Sequence, residues 1–399
     1  MTEKKIFMYV SLWKEHGGAP GLGLFTFDTQ SGEIELVKQL NDKISFNCSR
    51  VDSAHNRMYL CNETDVLDGV NYSSGRIYGY QLDPLTGEVS ELFHKETFCP
   101  NPAYLNFDDT GKYMIVAHHS SPANITTIER DEDGNFMPVV TFNDSVVELF
   151  SMKEDGTIDK LLDVKKHESK TPLLDRFGRR TNTHPHCVVK SPSGNLFAVC
   201  DKGDGCVYLY TIDREKEELR LCSKYLSDEE GCAPRYCAFH PALPYLFINH
   251  EHEHNGKMTV SAFRYEDDGT MERIGVYSVL PEGFVLGEGH FEQQGFCIHP
   301  SGKYVYSIIH SAYSINCVSV LAVKEESGEL ELIQNQPIEG VWPRGCALSP
   351  DGRFLVTSCL ASGDIAVYRI EEDGTLCPAG SMAKLQGGSY ISFYEPSNE

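Results

Sequence analysis

The feature that most constrains this chain is a pair of prolines seven residues apart, which recurs as Pro185 and Pro192, Pro234 and Pro241, and Pro343 and Pro350. Similar text surrounds each pair: "HPHCVVKSPSGNLFAVCDKG", "PRYCAFHPALPYLFINHEHE" and "WPRGCALSPDGRFLVTSCLAS". "QGFCIHPSGKYVYSIIHS", "PAYLNFDDTGKYMIVAHHS" and "FNCSRVDSAHNRMYLCNET" are weaker copies. Each copy is followed by an alternating strand and an acidic, Gly-containing turn, as in "GDIAVYRIEEDGTL". The unit reads strand, turn, strand, loop, strand, turn, strand, with a period of about 50 residues, the scale of a propeller blade.

Six copies leave the chain ends to explain. "IFMYVSLW" and "GLGLFTFDTQSGEIELV" supply three strands, and "SYISFYEP" near the C-terminus supplies the fourth. The expected fold is all-β: a single seven-bladed β-propeller over residues 1–399, its ring closed by a C-terminal strand that completes the N-terminal blade and removes exposed edges. The third unit is too long, which predicts an insertion or extended loops within about 120–181.

Composition narrows the function classes. The 41% hydrophobic content supports a large core, and a net charge of −23 argues against nucleic acid or an anionic membrane as partner. An anionic ligand would need a locally positive pocket. "MTEKKIFMYVSLW" lacks the long apolar region of a signal peptide, and no apolar run has the length of a membrane helix, so the cytoplasm is the expected compartment. Of the 14 cysteines, Cys187, Cys237, Cys297 and Cys346 lie in apolar strand-like runs, and no pair has CxxC spacing. They read as buried reduced thiols rather than a zinc site.

In a propeller the first strand of each blade lines the channel, so one register position presents its side chains to one funnel. The position after the first proline reads Asn47, Ala103, His186, Arg235, Gln294, Arg344 and, in the closing blade, Tyr390. The position ten residues after the second proline reads Glu63, His119, Lys202, Glu251, His310 and Leu360. The residue before it reads Asn62, His118, Asp201, His250, Ile309 and Cys359. Such a polar, ionisable ring reads as a site. "NHEHEHNG" suggests a metal cluster, but His250, His252 and His254 at period two splay along an extended strand. No metal or other cofactor is expected; an ion bridging His118, His119 and Glu251 is the alternative.

These segments resemble the lactonase family of seven-bladed propellers, which includes 6-phosphogluconolactonases and carboxymuconate-lactonizing enzymes. The resemblance runs nearly end to end: "GLGLFTFDTQSGEIELV" is similar to the family's first blade and "RFGRRTNTHPH" to its approach to a histidine pair. It implies active-site roles for His186 or His184, for Arg235 and for Glu251. A family arginine on the sixth blade is replaced by His310, the histidine expected after Arg235 is Tyr236, and the Asp-Leu-Gly of blade four reads Asp201, Lys202, Gly203.

The resulting expectation is hydrolysis of a small anionic lactone, a sugar acid or phosphorylated sugar derivative, by a monomer or homodimer. His186 would be the general base and Glu251 its partner or the alternate acid/base. Arg235 and Arg344 would clamp a carboxylate, phosphate or oxyanion, and Lys202, His119, His310, Asp201 and Gln294 would contact substrate. Arg235→Ala is expected to abolish turnover with little change in Tm, because the residue faces solvent in the channel. The alternatives are cycloisomerisation by the same groups, a metal-dependent hydrolase, and a non-catalytic scaffold. The WD and kelch signatures of common scaffold propellers are not repeated in each blade.

Overall fold

The second strand of every blade shows why these segments pair as they do. Tyr113–His118, Tyr245–His250 and Phe354–Cys359 are buried at every position, because adjacent blades cover both faces and an alternating pattern is not required. Outer strands are covered less: Ile34–Leu40 buries only its first residue, and Met271–Ser278 intersperses Glu and Arg.

The computed structural model describes residues 6–396 apart from 15–17, 65, 72–73, 122, 170–172, 175–179, 229–231, 254–255, 287–290 and 312–314. The described residues form seven four-stranded antiparallel sheets and three two-stranded ribbons. Among the described residues no helix is long and apolar enough to cross a membrane. In blade 1 the C-terminal strand Gly388–Tyr394 pairs with Ile6–Leu12, followed outward by Gly21–Phe27 and Ile34–Leu40. The inner strands of blades 2 to 7 are Ser49–Asp52, Pro102–Phe107, Pro185–Lys190, Pro234–Phe239, Phe291–Ile298 and Pro343–Leu348. Gly388–Tyr394 lies between the inner strands of blades 2 and 7, so the ring closes through it.

The recurrent "SPSG" and "SPDG" texts are the turns between first and second strands. Gly194 and Gly352 take φ of 74° and 73°, and their N–H groups donate to the carbonyls of Ser191 and Ser349 at 2.9 Å. Only glycine adopts this conformation without steric cost. Tyrosines fasten blade to blade: the phenols of Tyr9, Tyr59 and Tyr306 donate to the carbonyls of Gly87, Gly156 and Gly374, each in the outer turn of the next blade.

The stretch 120–181 divides into separate parts. Ser145–Met152 and Ile158–His167 are the ordinary outer strands of blade 3. The additions are an exposed ribbon of Asn124–Arg130 with Phe136–Phe142 and a short one of Leu173–Leu174 with Arg180–Thr181. The first leaves blade 3 just after His119, on the face where second strands end; 175–179, which carry most of "RFGRR", lie outside the described residues.

Candidate active site

The residue after each leading proline sits at a β-bulge. Pro185 pairs with Asp201 and Cys187 with Cys200, leaving His186 unpaired between them, and the same break isolates Ala103, Arg235 and Arg344. A bulge re-aims one side chain without moving the rest of the strand, so these residues leave the alternation of their strands at one level of the channel. In blade 1 the break falls between Gly388 and Tyr390. The equivalent position is therefore Ser389, and Tyr390 belongs one residue deeper.

Glu251 is the centre of the upper level. One carboxylate oxygen accepts from Arg235 Nη1 and the other is ion-paired with Lys202 Nζ, with Arg235 2% and Glu251 4% exposed. Burial alone would raise the Glu251 pKa, but Arg235 and Lys202 outweigh it and hold the carboxyl well below its ordinary value. Glu251 is thus an ionised anchor that orients two cations, and the role of alternate acid expected for it does not fit. Burial lowers the Lys202 pKa, with Glu251 opposing and Arg235 reinforcing.

His186 is 1% exposed and its Nδ1 has no hydrogen-bond partner. Its ring meets that of Tyr236 edge-on at 5.1 Å and that of His119 at 5.8 Å. Burial first, then Arg235 and Lys202, push its pKa well below the usual histidine range. His119 stacks on His184 at 4.6 Å, and its pKa is likewise well below the ordinary value, through burial and then Lys202.

The neighbouring histidine of the HxH pair is committed elsewhere. His184 Nδ1 meets the His119 carbonyl at 2.7 Å and Nε2 the Thr181 hydroxyl at 3.0 Å, so His186 takes the candidate position. Asp201, expected to contact substrate, is also spoken for. It accepts from the backbone N–H of His184 at 2.6 Å and Gly203 at 2.9 Å, and its other oxygen meets His167 Nδ1 at 2.7 Å. It is fully buried and holds the His184 loop. Asp201→Ala should therefore lower stability by at least about 2 kcal/mol, because charged hydrogen bonds are lost inside the protein. A thermal melt checks this; unchanged Tm with only KM raised would restore a substrate contact.

His118 is used inside its own blade, against Glu148 at 3.2 Å, and His250 by Thr259 of its blade and Ser227 at the end of blade 4, at 2.8 Å each. They do not join His119 and Glu251 in a bridging metal set. His254 lies outside the described residues. Ligand atoms of Glu251, His252 and Glu292 do come within 4.8 Å of one another, but Glu251 is already paired with two cations, and a third beside them would be repelled.

Across the channel, Arg344 reaches the Gln294 side-chain oxygen at 3.4 Å, and Gln294 donates to Glu292 at 2.6 Å. Gln294 is thereby a positioning residue between acid and arginine. The two tryptophans of the chain both support this side: Arg344 lies 4.1 Å over the ring of Trp13, and His310 stacks on Trp342 at 4.7 Å. Burial and the nearby Arg235 lower the Arg344 pKa. Trp13, Trp342, Glu292 and Tyr236 were not among the expected site residues. Trp342, directly before Pro343 and Arg344, was the one whose place in the repeat could have signalled it.

Comparison with known proteins places the chain, as distinct from the individual site residues, in a family. A protein of Formosa agariphila called 6-phosphogluconolactonase is 22% identical over 98% of this chain and 100% of its own length. One of Bacillus subtilis with the same name is 27% identical over 93% of each. The solved structure of a periplasmic gluconolactonase of Pseudomonas aeruginosa superposes with a TM-score of 0.80, covering 98% of this chain and 99% of that one at 19% identity, a likeness of fold. Residues 7–393 match the family described as "Lactonase, 7-bladed beta-propeller", and the chain belongs to that family.

Proposed function

We propose that this protein is a lactonase-type hydrolase that opens a small anionic lactone, of the phosphorylated sugar-acid class, at the Glu251 level of the channel. The observation that carries the reading is a set of buried polar atoms without protein partners: Nδ1 of His186, Nε and Nη2 of Arg235, and Nε of Arg344. Buried polar atoms are rarely left unsatisfied, and this set combines a base with donors. The relatives named 6-phosphogluconolactonase support the substrate class.

In this mechanism neutral His186 takes a proton from water as its oxygen attacks the lactone carbonyl. Arg235 donates to the oxyanion that develops. As the ring C–O bond breaks, Lys202 returns a proton to the leaving alkoxide; its lowered pKa suits a donor more acidic than free lysine. Glu251 keeps Arg235 and Lys202 in register; the proton held by His186 then passes through water to reprotonate Lys202, and the carboxylic acid product releases its own proton to solvent.

The test is pH-stat hydrolysis of sugar lactones, phosphorylated sugar lactones and muconolactones, with and without chelator. Turnover insensitive to chelator is expected. Failure on every lactone would overturn the reading in favour of a cycloisomerase or a binding scaffold.

The pH profile provides a separate prediction. A base with a depressed pKa stays neutral into mild acid, so the acid limb of kcat/KM should fall well below the ordinary histidine value of 6.5. An acid limb at 6.5 or above would exclude His186 as the base. Stability has its own sign: the unfolded chain takes up the His186 proton near pH 6.5 while the folded chain does not, so stability declines as pH drops below that value. Glu251, whose folded pKa is depressed, adds stability above 4.5 that is lost as pH falls further through its folded value.

A further inference from the structure

We propose that the channel layer beneath His186 and Arg235, formed by Arg50, Tyr104 and Tyr390, is an anion subsite that receives the phosphate of a phosphorylated lactone. Arg50 lies on the inner strand of blade 2, Ser49–Asp52. Its Nη1 donates to the Tyr390 phenol and, at 3.3 Å, to the Ser49 carbonyl. The guanidinium carbon is 4.5 Å from the Tyr104 ring centroid and 5.6 Å from that of Tyr390. The phenol oxygens of Tyr104 and Tyr390 lie 3.3 Å apart.

Every partner in this layer is neutral. Among the described residues Arg50 makes no ion pair with a carboxylate, in contrast to Arg235 with Glu251. Arg50 is half-buried; a cation that loses part of its hydration is ordinarily offset by a carboxylate, whereas a ring face contributes only about 0.5–2 kcal/mol. Burial, the leading cause in each case, raises the pKa of both phenols, so they remain O–H groups able to donate. A guanidinium fork beside two phenols, in a chain of net charge −23, is matched to a compact multivalent anion such as phosphate.

The layer is also at the right depth. Tyr236, whose ring is 5.8 Å from that of Tyr104 and 5.1 Å from that of His186, joins the two levels. Tyr390 lies one residue and Arg50 three residues beyond the row of His186, an advance of roughly 3–10 Å along the strands that spans the distance across a sugar ring from the lactone carbonyl to a terminal phosphate. With the carbonyl at Arg235, the phosphate points down the channel to Arg50. That orientation rests on the hydrolase reading; anion binding at Arg50 does not.

The test measures the ratio of kcat/KM for a phosphorylated six-carbon sugar lactone to that for its unphosphorylated counterpart, in wild type, Arg50→Gln, Arg50→Lys and Tyr390→Phe. The ratio should fall about tenfold or more in Arg50→Gln through KM for the phosphorylated substrate, recover partly in Arg50→Lys and fall less in Tyr390→Phe. Calorimetric titration with inorganic phosphate should give binding by wild type and a loss of about tenfold or more in Arg50→Gln. Equal losses on both lactones, or phosphate binding indifferent to Arg50→Gln, would overturn the subsite. If wild type opens neither lactone, the hydrolase reading fails and the phosphate titration still decides for or against the subsite. Arg50→Lys retains the charge and guards against a folding defect in Arg50→Gln.

Discussion

Replacing His186 by alanine is expected to lower kcat for lactone opening by roughly 10²–10⁴, the usual contribution of a positioned general base, with a smaller effect on KM. The imidazole sits at the bulge of blade 4, fixed by rings of Tyr236 and His119, and its Nδ1 has nothing else to bond. Removing it takes away the proton acceptor but no ion-pair partner, so Tm should change little beyond the cost of the cavity. His186→Asn keeps polarity and lacks the base, and should be as slow as His186→Ala; activity returning in His186→Asn would show that packing mattered and proton transfer did not. Steady-state kinetics at several pH values make the comparison, since the acid limb of the profile should vanish with the imidazole.

The sequence repeat made the propeller and its closure legible because the same physical demand recurs in each blade: a proline to start the inner strand, a left-handed glycine to turn it, an apolar second strand between two neighbours. It also aligned His186, Arg235, Arg344, Lys202 and Glu251, since equivalent register positions become neighbours around an axis. What it could not give was pairing across strands. The bulge after each proline is invisible in a single strand's text, so Tyr390 was expected one row too high. The commitments of Asp201 and His184 depend on His167, Thr181 and the His119 carbonyl, groups brought in by other strands and loops. Arg50 carried no signal at all, because its meaning lies in the absence of an acid around it.

Arg235→Ala shows how far burial changes an expectation drawn from register alone. A channel residue open to solvent would be lost with no effect on Tm, but Arg235 is 2% exposed and bonded to Glu251. Breaking a buried pair from one side costs about 3–5 kcal/mol when the remaining charge has no other partner; here Lys202 still holds the second oxygen, so the lower end is expected. Turnover should fall by roughly 10²–10³, the range for removing an oxyanion donor. Glu251→Gln should impair both cations together, and the double variant Arg235→Ala with Glu251→Gln should be less destabilised than the sum of the two singles, since the stranded charge is gone. Thermal melts and single-turnover kinetics on the four proteins read both effects. Strict additivity in Tm would deny the ion pair, and near-normal turnover in Arg235→Ala would move the oxyanion away from this guanidinium, leaving Arg344, with its own unpartnered Nε beneath the same funnel, as the donor to test next.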